Sequence, residues 1–179
     1  MPKIKENIKK IALKSGIYLG GALILITLLA YFFNWDLLLQ SWFQLLKFSI
    51  VIALATYSTM AAKRRNLEAF SFRDAFAAYF IPIAVGLLLF SIFNYLLFDL
   101  IDGQAGHYIA EMSIEEHRKQ LEAMGKDADK IKQTITELKN SNQFSILNQL
   151  QGYIMNLVLY CIPGIIIALI FKKKKPIIA

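Results

Sequence analysis

Four long apolar runs, separated by short polar or basic segments, dominate the pattern along this chain. They cover residues 16–33, 43–62, 75–98 and 150–171, the second interrupted only by Lys47. A helix needs about 20 apolar residues, at about 1.5 Å each, to cross a hydrocarbon core of about 30 Å, and each run is long enough. A bilayer offers backbone N–H and C=O groups no water, so the runs are expected to be helices that satisfy those groups internally.

Only residues 102–145 alternate polar and apolar positions as a soluble segment does. Ser113-Ile114-Glu115-Glu116 has the capping-box pattern, which predicts a helix over about 114–124 that ends at Gly125. Asp127 is placed to cap a second helix, in which Ala128, Ile131, Ile135 and Leu138 share one face at spacings of 3, 4 and 3. The expected object is a helical hairpin between the third and fourth spans. Packed on itself, resting on the bilayer or meeting a partner, it fits the pattern equally.

Composition agrees with the pattern. Of the 179 residues, 56% are hydrophobic and 18% charged, against about 45–50% and about 25% in a soluble domain. A single cysteine, Cys161, excludes an intrachain disulfide framework. The amino terminus begins like a secretory signal, but its uncharged stretch is long enough to span and no small-x-small cleavage site follows Ala30. It reads as an uncleaved first transmembrane helix.

The net charge of +7 acquires meaning from its placement. Lys3, Lys5, Lys9, Lys10 and Lys14 precede span one; Lys63, Arg64, Arg65 and Arg73 lie between spans two and three; Lys172 to Lys175 follow span four. The short link after span one has no basic residue, and segment 102–145 has six basic against eight acidic residues. Lys and Arg in short flanks are retained on the cytoplasmic side, so both termini are expected in the cytoplasm (1–15 as a basic amphipathic segment, 172–179 as a basic tail) and the hairpin outside. Trp35 and Trp42 suit the outer headgroup level. Ile4, Ile8 and Ile11 share a face among the first lysines, compatible with an inner-leaflet surface helix or with a pure orientation signal.

Candidate chemistry is sparse. A charge at mid-bilayer costs about 2.5–3.5 kcal/mol on insertion scales, which singles out Lys47. Gln40, Gln44 and Lys47 share a helix face. If Trp42 marks the interface, Lys47 lies only about 7–8 Å below it, so its stem is expected to snorkel outward; the other reading is a polar bundle interior. Asn94, Asp99 and Asn148 approach the same outer level, and with Gln44 and Lys47 form a candidate intramembrane polar cluster. Asn148 and Gln151 are spaced to share a face. Pro82 and Pro163 lie at matched depth as candidate kinks, and Gly16 and Gly20 form a GxxxG for close helix packing. His107, Glu111 and Glu115 fall at i, i+4 and i+8, with His117 nearby, but lack a metal-ligand signature. No phosphate loop, nucleophile elbow or HExxH is present, so neither cofactor, metal nor catalytic residue is expected, and the basic clusters imply no nucleic-acid partner.

The order of features resembles the bacterial family of domain of unknown function (DUF) 4199. The likeness rests on Phe70-Ser71-Phe72-Arg73-Asp74-Ala75-Phe76 opening span three and on Ser91-Ile92-Phe93-Asn94-Tyr95 to Ile101-Asp102 closing it. It continues in an acidic insert with Glu122-Ala123-Met124-Gly125-Lys126 and in the lysines after span four. The resemblance implies a polytopic inner-membrane protein without an assigned activity.

The expectation is therefore an all-α, four-span membrane protein with an extracytoplasmic helical hairpin. Its partners would be the bilayer and a second copy or other membrane proteins. The function expected first is a structural or accessory role through helix association and the hairpin. The alternative is a small transporter or channel subunit built around Lys47, Asn94 and Asp99.

Overall fold

A computed structural model describes residues 2–65, 70–139 and 141–173. Lys174, Lys175 and Asn140, and the side chains of Lys3, Ile4 and Lys5, lie outside the described residues. All regular elements among the described residues are helical: α1 (Pro2–Phe33), a 3-10 turn (Trp35–Leu38), α2 (Ser41–Arg64), α3 (Phe72–Tyr95), a π-helical turn (Leu96–Ile101), α4 (Gly103–Ala123), α5 (Ala128–Lys139) and α6 (Ile146–Phe171). Four helical stretches are long and apolar enough to cross a membrane: Glu6–Phe33, Ser41–Arg64, Phe72–Ile101 and Ile146–Phe171.

Helix α1 continues without a break through the basic amino-terminal segment. Ile8 and Ala12 on its first turns are buried, Ile8 in a cluster with Ala62, Phe70, Ala75, Ala78 and Ala168. That face therefore packs on the bundle. The Lys173 N–H donates to the Phe70 carbonyl at 2.7 Å, tying the end of α6 to the link before α3. The start of α1, the end of α2, Phe70 before α3 and the end of α6 thus occupy one end of the bundle. Ser71 and Asp74 open α3 with a reciprocal capping box, which gives Asp74 a local structural task.

Helix α3 is the hub, packing on α1, α2 and α6, while α2 and α6 touch little and α1 does not meet α6. Small residues set these distances, as expected where lipid supplies no hydrophobic drive between helices. Gly16 and Gly20 of α1 lie against Gly86 of α3: a Cβ on Gly86 would be 3.1 Å from the Gly16 carbonyl oxygen and the Gly20 nitrogen. Gly164 of α6 lies under the Tyr79 ring, 2.8 Å from where its Cβ would be. Pro82 and Pro163 both fall inside continuous helices. A middle core of Leu19, Leu23, Val51, Ala55, Tyr79, Ile83, Leu87 and Tyr160 fills the space between them.

At the opposite end α4 and α5 form a hairpin, packed through α4 against both the 3-10 turn and the π turn. Helix α4 begins well before the Ser113 capping box predicted from sequence. Asp102 caps it, accepting from the Ala105 N–H at 3.0 Å, and the helix runs straight through Ser113, whose hydroxyl donates to Gln143 at 3.3 Å. Because the helix is already running, the N–H groups after Ser113 bond to carbonyls one turn earlier, so Ser113 has none left to cap. The predicted stop holds: Gly125 adopts φ +66°, with Lys126 N–H bonded to Leu121 O and Gly125 N–H to Glu122 O, a Schellman end.

Two tyrosines clamp the hairpin to the spans. Tyr31 of α1 donates to Asp102 at 2.6 Å, and Tyr108 of α4 donates to Asp36 at 2.8 Å. Trp35 stacks on Tyr31 and packs against Tyr108. The Tyr31 hydrogen bond, then that from the Ala105 backbone, hold the Asp102 carboxyl below its ordinary value of 3.8. A depressed folded-state pKa stabilises above the unfolded value and is lost as pH falls through the folded one. Hairpin protection is therefore expected to be full above about pH 4 and to fade below it. Tyr31→Phe should weaken protection at neutral pH and shift the acid loss upward; hydrogen exchange of α4 amides across pH 3–7 would check both.

Candidate functional site

The polar residues of the half nearer the hairpin are sorted by the rotation of α2 and α6 about the hub α3. Because α2 and α6 meet so little, a cleft of about 600 Å³ opens between them. Its polar lining comes from Ser41, Gln44 and Lys47 on α2, Ser91 and Asn94 on α3, and Asn148, Gln149, Tyr153 and Asn156 on α6. Its floor is apolar, formed by Leu23, Val51 and Leu87.

Lys47 belongs to this inter-helical space. Its Nζ lies 5.3 Å from the centre of the Phe43 ring and 5.9 Å from that of Phe90, both within cation–π range. Phe43 is buried and lies one turn nearer the hairpin end of α2, so the ammonium points toward that end along the cleft wall. Lys47 forms no ion pair among the described residues.

Gln44, Lys47, Asn94 and Asn148, grouped from sequence, do share this cleft. Asp99 does not. The π turn adds a residue to the helical repeat, marked by the Asp102 N–H donating to the Leu97 carbonyl at 2.8 Å. Asp99 there accepts from Asn142 at 2.6 Å and faces the hairpin. Gln151 is also outside the lining, whereas Gln149, Tyr153 and Asn156 are within it. Asn156 was legible in principle: it lies eight residues after Asn148, on the same helical face. Gln44 donates to the Leu38 carbonyl at 2.6 Å and Tyr153 to the Ala84 carbonyl at 3.2 Å, holding the walls in place.

A second groove, of about 1060 Å³, runs between α4, α5 and residues 141–144. Its apolar side is Phe98, Ile114, Ile135, Leu138 and Phe144, and its rim carries Asp99, His107, Glu111, Glu115, Arg118 and Lys139. His107, Glu111 and Glu115 follow one face of α4, but no three His, Cys, Asp or Glu side chains converge to hold a metal among the described residues. His117 Nδ1 instead lies 2.8 Å from the Ser113 carbonyl oxygen of its own helix. Arg118 pairs with Glu115 at 2.5 Å and Glu122 at 3.2 Å.

A family model described as "Protein of unknown function (DUF4199)" matches residues 14–173, a stretch that includes α2 to α6 and most of α1. The chain belongs to the DUF4199 family. No curated protein and no solved structure matches it. The DUF4199 match covers both the amide-lined cleft and the hairpin groove, so neither feature is an appendage to the family unit.

Proposed function

We propose that this DUF4199 protein is a non-enzymatic accessory protein of the bacterial inner membrane, with both termini cytoplasmic and the α4–α5 hairpin outside. It acts through helix association and uses the hairpin to engage another membrane protein or a second copy. The orientation rests on the basic residues gathered at the termini end of the bundle. The observation that carries the partner reading is the hairpin groove: α5 has no fully buried residue, and its Ile135 and Leu138 face a space that α4 leaves unfilled.

A transport pathway through Lys47, Asn94 and Asp99 draws less support. Asp99 is engaged with Asn142 outside the cleft, and inward of Lys47 the lining meets a core of Leu19, Val51, Ala55 and Ile83 with the rings of Tyr79 and Tyr160. The test uses Lys139→Cys, at the groove rim, in a Cys161→Ser background. A membrane-impermeant thiol cross-linker added to intact spheroplasts should yield a discrete larger species. Reaction only after the membrane is opened would overturn the orientation, and reaction without any protein adduct would overturn the partner role.

A further inference from the structure

The cleft between α2 and α6 combines three features that helix association does not use. Its charge is uncompensated: Lys47 is the sole ionised side chain in the lining, and no carboxylate joins it. A charged side chain within a membrane span is costly, and an anion seated beside it would offset that cost. Carboxamides of Gln44, Asn94, Asn148, Gln149 and Asn156 line the same space; those of Gln44, Asn148, Gln149 and Asn156 each already donate to a backbone carbonyl, which leaves each its second N–H. The Asn94 amide has no hydrogen-bond partner among the described residues. Its shape is amphipathic, with a polar upper wall, an apolar floor, and rims at Leu45 and Leu159 that are 65% and 49% exposed.

The opening matters most. Because α2 and α6 barely touch, the cleft faces sideways, toward hydrocarbon. Lys47 lies six residues into α2, about 9 Å along the helix from its start, so its long stem can reach back toward the headgroup level. A volume of about 600 Å³ falls within the about 300–1,000 Å³ typical of small-ligand sites.

We propose that the cleft binds the anionic headgroup of a phospholipid entering sideways from the bilayer, with Lys47 as the cation and Asn94 and Asn156 as amide donors. The acyl chains would remain outside, along the apolar faces of α2 and α6. This goes beyond the accessory reading and is independent of it, because the hairpin groove lies on other helices.

The test uses the full chain purified in a neutral detergent, with binding followed by native mass spectrometry. The probes are dioleoyl phosphatidylglycerol, dioleoyl phosphatidylcholine and glycerol phosphate. The wild type should prefer phosphatidylglycerol over phosphatidylcholine. Lys47→Gln should weaken phosphatidylglycerol by about tenfold or more, the scale of a lost hydrogen bond to a charged group, while Lys47→Arg keeps it and Lys14→Gln leaves it unchanged. Leu159→Trp at the rim should lower binding without touching Lys47, and serves if Lys47→Gln does not fold. Equal phosphatidylglycerol affinity in wild type and Lys47→Gln would overturn the proposal. Glycerol phosphate binding as tightly as the lipid would also overturn it, assigning the site to a soluble anion. So would a co-purifying protein released by Lys47→Gln with lipid binding intact.

Discussion

Gly106→Val is expected to detach the hairpin from the bundle. A Cβ at Gly106 would overlap the Phe98 carbonyl oxygen, and the obstacle is backbone, so no rotamer relieves it. Phe98 is itself fixed by the π turn and by its packing with Ala105, Ile109 and Phe144. Overpacking of a well-filled core costs about 1–3 kcal/mol, occasionally more, and a clash with an immobile carbonyl belongs at the upper end. The Tyr31–Asp102 and Tyr108–Asp36 bonds depend on the same approach of α4 and should go with it. Trypsin cleavage at Lys126, in the turn between α4 and α5, should become several-fold faster in detergent. Gly103→Ala makes a suitable comparison, since nothing lies within 4 Å of its Cβ. Cleavage unchanged in Gly106→Val would refute the close crossing.

Gly86→Leu is expected to have the other large effect, on the spans themselves. A side chain there would meet Leu19, the Gly16 carbonyl and the Gly20 nitrogen together. Leu19 can move, but the two backbone atoms of α1 cannot move without separating the helices. The α1–α3 interface is the most extensive in the bundle, so its loss propagates to Leu23 and Thr27 below. At about 1–3 kcal/mol, and about 2–4 °C per kcal/mol for a chain of this size, the detergent melting temperature should fall by roughly 2–12 °C. Gly21→Leu, on the open face of α1, should leave it nearly unchanged. A melting temperature insensitive to Gly86→Leu would mean that α1 does not pack through its GxxxG.

Several local features were readable because their causes are local. The Schellman end at Gly125 follows from one residue's tolerance of positive φ, and the stripe of α5 from the 3.6-residue repeat. The Ser113 capping box had the right residues and the wrong place. A cap acts only where a helix begins, and Asp102 started α4 three turns earlier. Asp99 pairs with Asn142, in the Asn/Gln run that leads into the fourth span, and the π turn around it decides which way it faces.

The amino-acid sequence by itself determined the four apolar helices, the hairpin between the last two, and the gathering of Lys and Arg at one end. Hydrocarbon imposes length and polarity so strongly that no neighbour is needed to read them. Only the tertiary structure decided which polar side chains meet. That choice rests on helix rotation and spacing, set by Gly16, Gly20, Gly86 and Gly164 against their partners, and on the near absence of contact between α2 and α6. Lys47 became a cleft residue because α6 packs on α3 and touches α2 little, which leaves a space between them.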